Sequence, residues 1–147
     1  MNDNVTPKGI MVIKRIDRKT GRVLDSETVE NTVVNTGKER VAKLLNGEST
    51  DVFKYIAIGT DATAVQVTDT ALIAENTRAL GTTGYVADYK ATVTKTFEFL
   101  SAYSIVEAGL FDSLTVSGSV MFDRFTFTAK EVDTDTDLEV TITITVS

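Results

Sequence analysis

Three short segments hold the residues of this sequence best placed to do chemistry. Asp133-Thr134-Asp135-Thr136-Asp137 sets three aspartates at alternate positions. A calcium ion needs several oxygens converging from one loop, and Asp133, Asp135 and Asp137 could supply some of them. The central glycine and distal glutamate of a helix-loop-helix calcium site are missing, so a solvated turn before the last strand is the stronger reading. Glu107 and Asp112 are a second candidate, because two carboxylates are the minimum for glycoside hydrolysis. They flank the apolar Ala108-Gly109-Leu110-Phe111, where a turn at a strand edge explains them more simply. Ile58-Gly59-Thr60-Asp61 begins like a phosphate loop, but no second glycine and no Gly-Lys-Ser/Thr follows. It reads as a turn that ends a strand.

What is missing narrows the chemistry further. The chain has no cysteine and no histidine. Disulfides, thiolate zinc sites and cysteine nucleophiles are excluded. So is any nucleophile activated by a histidine of this chain. The expectation is a protein that is not an enzyme and holds no cofactor. A net charge of −6 opposes a nucleic-acid partner, since phosphate binding rests on clustered Lys and Arg. Lys14-Arg15, Arg18-Lys19 and Arg22 make one basic stretch, which reads as a solvated hairpin loop. With no tryptophan and four tyrosines, stacking platforms for bases or sugars are not evident. No apolar run approaches the roughly 18 residues of a membrane-spanning helix. Met1 to Pro7 carries neither a basic cluster nor an apolar run, so no secretory leader is expected.

The elements that must position these residues are mostly strands. Leu138, Val140, Ile142, Ile144 and Val146 alternate with Glu139, Thr141, Thr143 and Thr145, the period of a half-buried strand. Ala91 to Phe99 repeats the pattern, and Val120 to Thr128 continues it with a phase slip near Asp123-Arg124 that predicts a β-bulge. Ile10 to Ile16, the loop Asp17-Arg18-Lys19-Thr20-Gly21 and Val23 to Glu30 predict a hairpin. Phe53 to Ile58 is more continuously apolar, as in a central strand. One helix is expected over about 36–46. Thr36 and Glu39 have capping-box spacing, Val41, Leu44 and Leu45 form an apolar stripe, and Gly47 supplies a stop. A helical or turn segment is expected over Asp69 to Glu75. At 147 residues, 42% hydrophobic and 24% charged, the chain is sized for one domain. The expectation is an antiparallel β-sandwich over residues 10–147 with a short helix, preceded by an N-terminal arm, residues 1–9. Val41, Leu44, Leu45, Phe97, Phe99, Phe125, Phe127, Ile142 and Ile144 are the expected core. Val5 and Pro7 in the arm, with Ile10 where the strand begins, are the candidate interface residues, because an extended arm can add to a neighbour's sheet.

Several phrases in fixed order resemble small structural proteins of tailed bacteriophages. They are Val33-Val34-Asn35-Thr36-Gly37-Lys38, Tyr55-Ile56-Ala57-Ile58-Gly59-Thr60, Thr68-Asp69-Thr70-Ala71-Leu72 with Arg78, and Glu107-Ala108-Gly109-Leu110-Phe111-Asp112 before a threonine-rich last strand. The resemblance covers roughly Asn31 to Ser147 and brings no catalytic residues. It implies a virion subunit, assembled in the host cytoplasm, whose partners are other copies of itself and other virion proteins. A capsid decoration or cement protein leads, and a tail, neck or fibre-base subunit is the alternative. A carbohydrate- or receptor-binding β-sandwich is the reading from a different class.

Overall fold

Where apolar residues alternate with threonine, the chain forms paired strands. The computed structural model describes residues 7–146. Within them, two five-stranded antiparallel sheets pack face to face as a β-sandwich. The first sheet runs in the order β2 (Val23–Glu30), β1 (Pro7–Asp17), β10 (Thr136–Val146), β7 (Lys90–Phe97) and β6 (Thr82–Val86). The second runs β3 (Thr32–Val33), β9 (Met121–Val132), β8 (Tyr103–Phe111), β4 (Tyr55–Gly59) and β5 (Glu75–Leu80). One helix, α1 (Asn35–Asn46), joins β3 to β4.

The last strand sits at the centre of the first sheet. Leu138, Val140 and Ile142 are fully buried, and Ile142 is flanked by Met11 of β1 and Val93 of β7. At its centre the second sheet is buried on both faces, so β4 and the second half of β8 are buried at successive positions rather than alternate ones, with Glu107 the charged exception. Ile56, Ile58, Ala108 and Leu110 join the main core, while Ala57 and Phe111 form a second cluster with Val34, Leu72 and Met121. Leu72 comes from residues 60–74, the long connection between β4 and β5, which lies over the outer face of the second sheet. That connection holds turns and bends, so of the helical or turn segment expected over Asp69 to Glu75 the turn alternative holds up to Ala74, and Glu75 opens β5.

Two crossings between the sheets take one residue each, Asn31 from β2 to β3 and Gly81 from β5 to β6. A Cβ on Gly81 would overlap the Val93 side chain and lie 3.2 Å from the Thr94 carbonyl oxygen, so the second corner requires glycine. The expected phase slip appears as a register shift of β9 against β8 between Leu110 and Phe111, opposite Phe122. A second shift lies between Ile105 and Glu107.

Three expectations need correction. The capping box does not form: Val34 is the N-cap without a side-chain bond, and the Thr36 hydroxyl donates to the Met121 carbonyl at 2.9 Å. A tertiary acceptor on β9 has taken the group a cap would have used, and Glu39 pairs instead with Lys43. Leu45 is 85% exposed rather than in the core. The helix docks through its first turns, where Gly37 lies against the Phe122 backbone with no room for a Cβ, and its last turn runs past the sheet. Finally, the sandwich begins at Pro7 rather than Ile10, because Pro7, Lys8 and Gly9 pair with Val146, Thr145 and Ile144. Val5 lies outside the described residues.

Phe125 is 1% exposed in the main core. Phe125→Ala is expected to cost about 3–5 kcal/mol in urea unfolding. Leu45→Ala should stay within about 0.5 kcal/mol of the parent. A large loss at Leu45 would contradict the helix placement.

Candidate functional site

The acidic segments lie on three different parts of the fold, and each is tied into it. Asp133, Asp135 and Asp137 lie in the β9–β10 hairpin. Asp133 Oδ1 accepts from the Asp135 N–H at 2.8 Å and from the Thr136 hydroxyl at 3.0 Å. These bonds hold the Asp133 carboxyl below the ordinary aspartate range. Asp137 accepts from Arg18 Nε at 2.7 Å, and the Asp135 carbonyl accepts the Arg18 N–H at 2.9 Å. The aspartates therefore cap one turn and staple it to the β1–β2 turn. Among the described residues, no group of three or more acidic side chains gathers as a metal ion would require. Two arginines of the basic stretch are engaged here as well, since Arg15 pairs with Asp25 at 3.0 Å.

Glu107 is fully buried on the outer face of β8 and is the anchor of residues 60–74. Its Oε1 accepts from Ile73 N at 2.9 Å and from Arg124 Nε at 3.2 Å. Its Oε2 accepts from Ala74 N at 2.9 Å and Asp61 N at 3.0 Å. Arg124, also fully buried, donates onward to the Thr63 carbonyl at 2.8 Å and to Asp69 at 3.3 Å. The Gly59-Thr60-Asp61 turn thus ends a strand, as its sequence implied, and its amide is held by a carboxylate rather than holding a phosphate. Asp112 takes no part in this network. It accepts from Arg40 at 2.7 Å and from Val120 N at 2.8 Å. Arg78 closes the same outer face, paired to Glu75 at 2.6 Å and stacked 4.0 Å above the Phe111 ring.

A second buried acid faces the core. Asp123 stands opposite Leu110 on β8, with one oxygen accepting from Asn31 Nδ2 at 2.7 Å and Oδ1 lacking a partner. Asn31 Oδ1 in turn accepts the Gly9 N–H at 2.8 Å, so the first corner links both sheets. Burial pushes the Asp123 carboxyl up to about 7, against the opposing pull of the Asn31 amide and the Leu110 backbone.

One feature open to solvent is apolar. At one end the two sheets border a cleft of about 240 Å3. Ala91, Val93, Ile144 and Val146 form its floor, and Val41, Val52 and Phe53 its opposite wall. Pro7, where the described chain begins, lines it too, whereas Ile10 points away from the core and is 46% exposed. Beside the cleft the β6–β7 hairpin carries Tyr85 and Tyr89, 73% and 72% exposed. Asp88 and Tyr89 at its tip have φ of 69° and 67°, a backbone region costly for residues other than glycine. Both lie in the three-residue turn between Val86 and Lys90, where tight hairpins call for positive φ. The cleft and this hairpin went unread in the sequence, where Gly81, Gly84 and an isolated Tyr85 were the available signals. Comparison with family models, with curated proteins and with solved structures finds no match for this chain.

Removing one partner of a buried ion pair strands the other. Glu107→Ala is expected to cost about 3–5 kcal/mol and to make residues 60–74 the first site of limited proteolysis. Cleavage elsewhere first would contradict the anchoring role.

Asp123 sets a pH dependence. An unfolded aspartate ionises near 3.9, so between roughly that pH and 7 the folded protein keeps a proton the unfolded chain has lost. Stability should therefore fall as pH rises through that window and level off above it. With no histidine in the chain, the upper part of the window is otherwise quiet. Unfolding midpoints across the window should show the slope in the parent and lose it in Asp123→Asn.

Proposed function

We propose that this chain is a non-enzymatic structural subunit of a tailed-phage particle, most simply a capsid decoration protein, that works by docking onto neighbouring subunits. The observation that carries the docking role is the open apolar cleft beside an exposed, aromatic-tipped hairpin. The phage assignment is supported by the resemblance of residues 31–147. The charged groups support the same reading, because buried Glu107 and Arg124 and half-buried Asp112 and Arg40 are engaged in holding the fold together. An apolar side chain from a neighbouring subunit would fill the cleft and complete the core at that end. Repetition over a symmetric particle would multiply a modest contact.

A second reading has one observation in its favour, the exposed rings of Tyr85 and Tyr89, which could stack on a sugar. Two measurements separate the two. Mass spectrometry of gradient-purified particles from cells producing this chain should find it at a fixed copy number, and Ala91→Trp, which fills the cleft, should lower its occupancy at limiting concentration. A chain absent from particles but bound by a glycan array would replace the structural reading with the sugar-binding one.

A further inference from the structure

We infer that the outer edge of β6 pairs with β6 of a second copy of this chain, antiparallel and about a two-fold axis at Gly84. This deepens the assembly reading by naming one contact that would build it. The two sheets end in four edges, and three carry features that oppose pairing. The β3 strand is two residues long. The β5 strand is offset by a register shift at Ile58/Gly59 and bears the Glu75–Arg78 ion pair. The β2 strand carries Asp25, Glu27 and Glu30. Shortness, bulges and charge are the devices by which sheets avoid joining at their edges.

The β6 edge has neither charge, proline nor register shift. Thr82-Thr83-Gly84-Tyr85-Val86 is exposed at every position and, among the described residues, pairs only with β7. It is also held in place for a partner. The Val146 N–H donates to the Tyr89 carbonyl at 3.1 Å, tying the hairpin tip to β10, and Gly81 N donates to the Lys54 carbonyl at 2.8 Å at the strand's start.

The occupant is a second copy because the edge is complementary to itself. With Gly84 on the axis, Thr83 of each copy stands opposite Tyr85 of the other, and Thr82 opposite Val86. Opposed residues of an antiparallel pair share a face, so the two first sheets would continue into one ten-stranded sheet with both cores on the same side. Pairs of β-branched and aromatic side chains are favourable across strands. Each copy carries a net charge of −6, none of it on this edge. Five residues cover far less than the roughly 800 Å2 per partner of a standard interface. The dimer is therefore weak in dilute solution and gains from repetition in an assembly.

Sedimentation equilibrium of the full chain should give a mass that rises with concentration toward twice that of one copy. Thr83→Lys/Tyr85→Lys sets like charges opposite each other and should weaken the dimer by about tenfold or more, with an unchanged circular dichroism spectrum. Because the chain has no cysteine, register can be read directly. An equimolar mixture of Thr83→Cys and Tyr85→Cys should form a disulfide-linked heterodimer faster than either variant links to itself. A parent that stays monomeric, a dimer indifferent to the two lysines, or cross-linking without that preference would overturn the inference. A chain that dimerises this way yet is absent from particles would leave the edge contact standing and remove the phage reading.

Discussion

The outer face of the second sheet depends on one buried ion pair. Glu107 and Arg124 are both fully buried, and two charges taken out of water destabilise a fold unless every oxygen and N–H finds a partner. Here the partners come from the connection that covers the pair. The amides of Asp61, Ile73 and Ala74 point at Glu107, and the carbonyls of Asp61 and Thr63 at Arg124. An irregular connection has no regular pairing for its own backbone groups, and the ion pair supplies it. The charges are satisfied by the loop, the loop is ordered by the charges, and Leu72 is thereby held in the second cluster.

The two sheets are coupled more tightly at some places than at others. Asn31 bridges Gly9 and Asp123 at one corner, and Gly81 lets β5 turn into β6 at another. Arg18 joins the β1–β2 turn to the β9–β10 hairpin. Among the described residues no comparable brace spans the end where Val146, Ala91 and Phe53 line the apolar cleft. A sandwich closed at its corners leaves an apolar cleft at the end its corner contacts do not reach.

Much of this architecture was legible along the chain. The alternation of β10, the β1–β2 hairpin, the bulge near Asp123, the break after Ile58 and the existence of one helix all follow from local pattern, because side-chain period and turn chemistry act over a few residues. The same pattern misplaced Leu45 and misassigned Thr36. An apolar stripe does not say how far along its length a helix touches a sheet. A hydroxyl near a helix start does not say whether a carbonyl such as that of Met121, far away in sequence, competes for it.

By itself the sequence determined the class of fold and the chemistry that is out of reach, since strand period is local and a chain without cysteine or histidine cannot perform their reactions. Only the tertiary structure decided the roles of its charged residues. Whether Glu107 is a catalyst, a turn residue or a buried anchor depends on what stands within about 3 Å of it, and those groups come from Asp61, Ile73, Ala74 and Arg124. The cleft and the uncharged edge of β6 were decided the same way, because each is a property of which strands end a sheet and which residues of the two sheets meet. That order is set by long-range pairing, which local pattern does not encode.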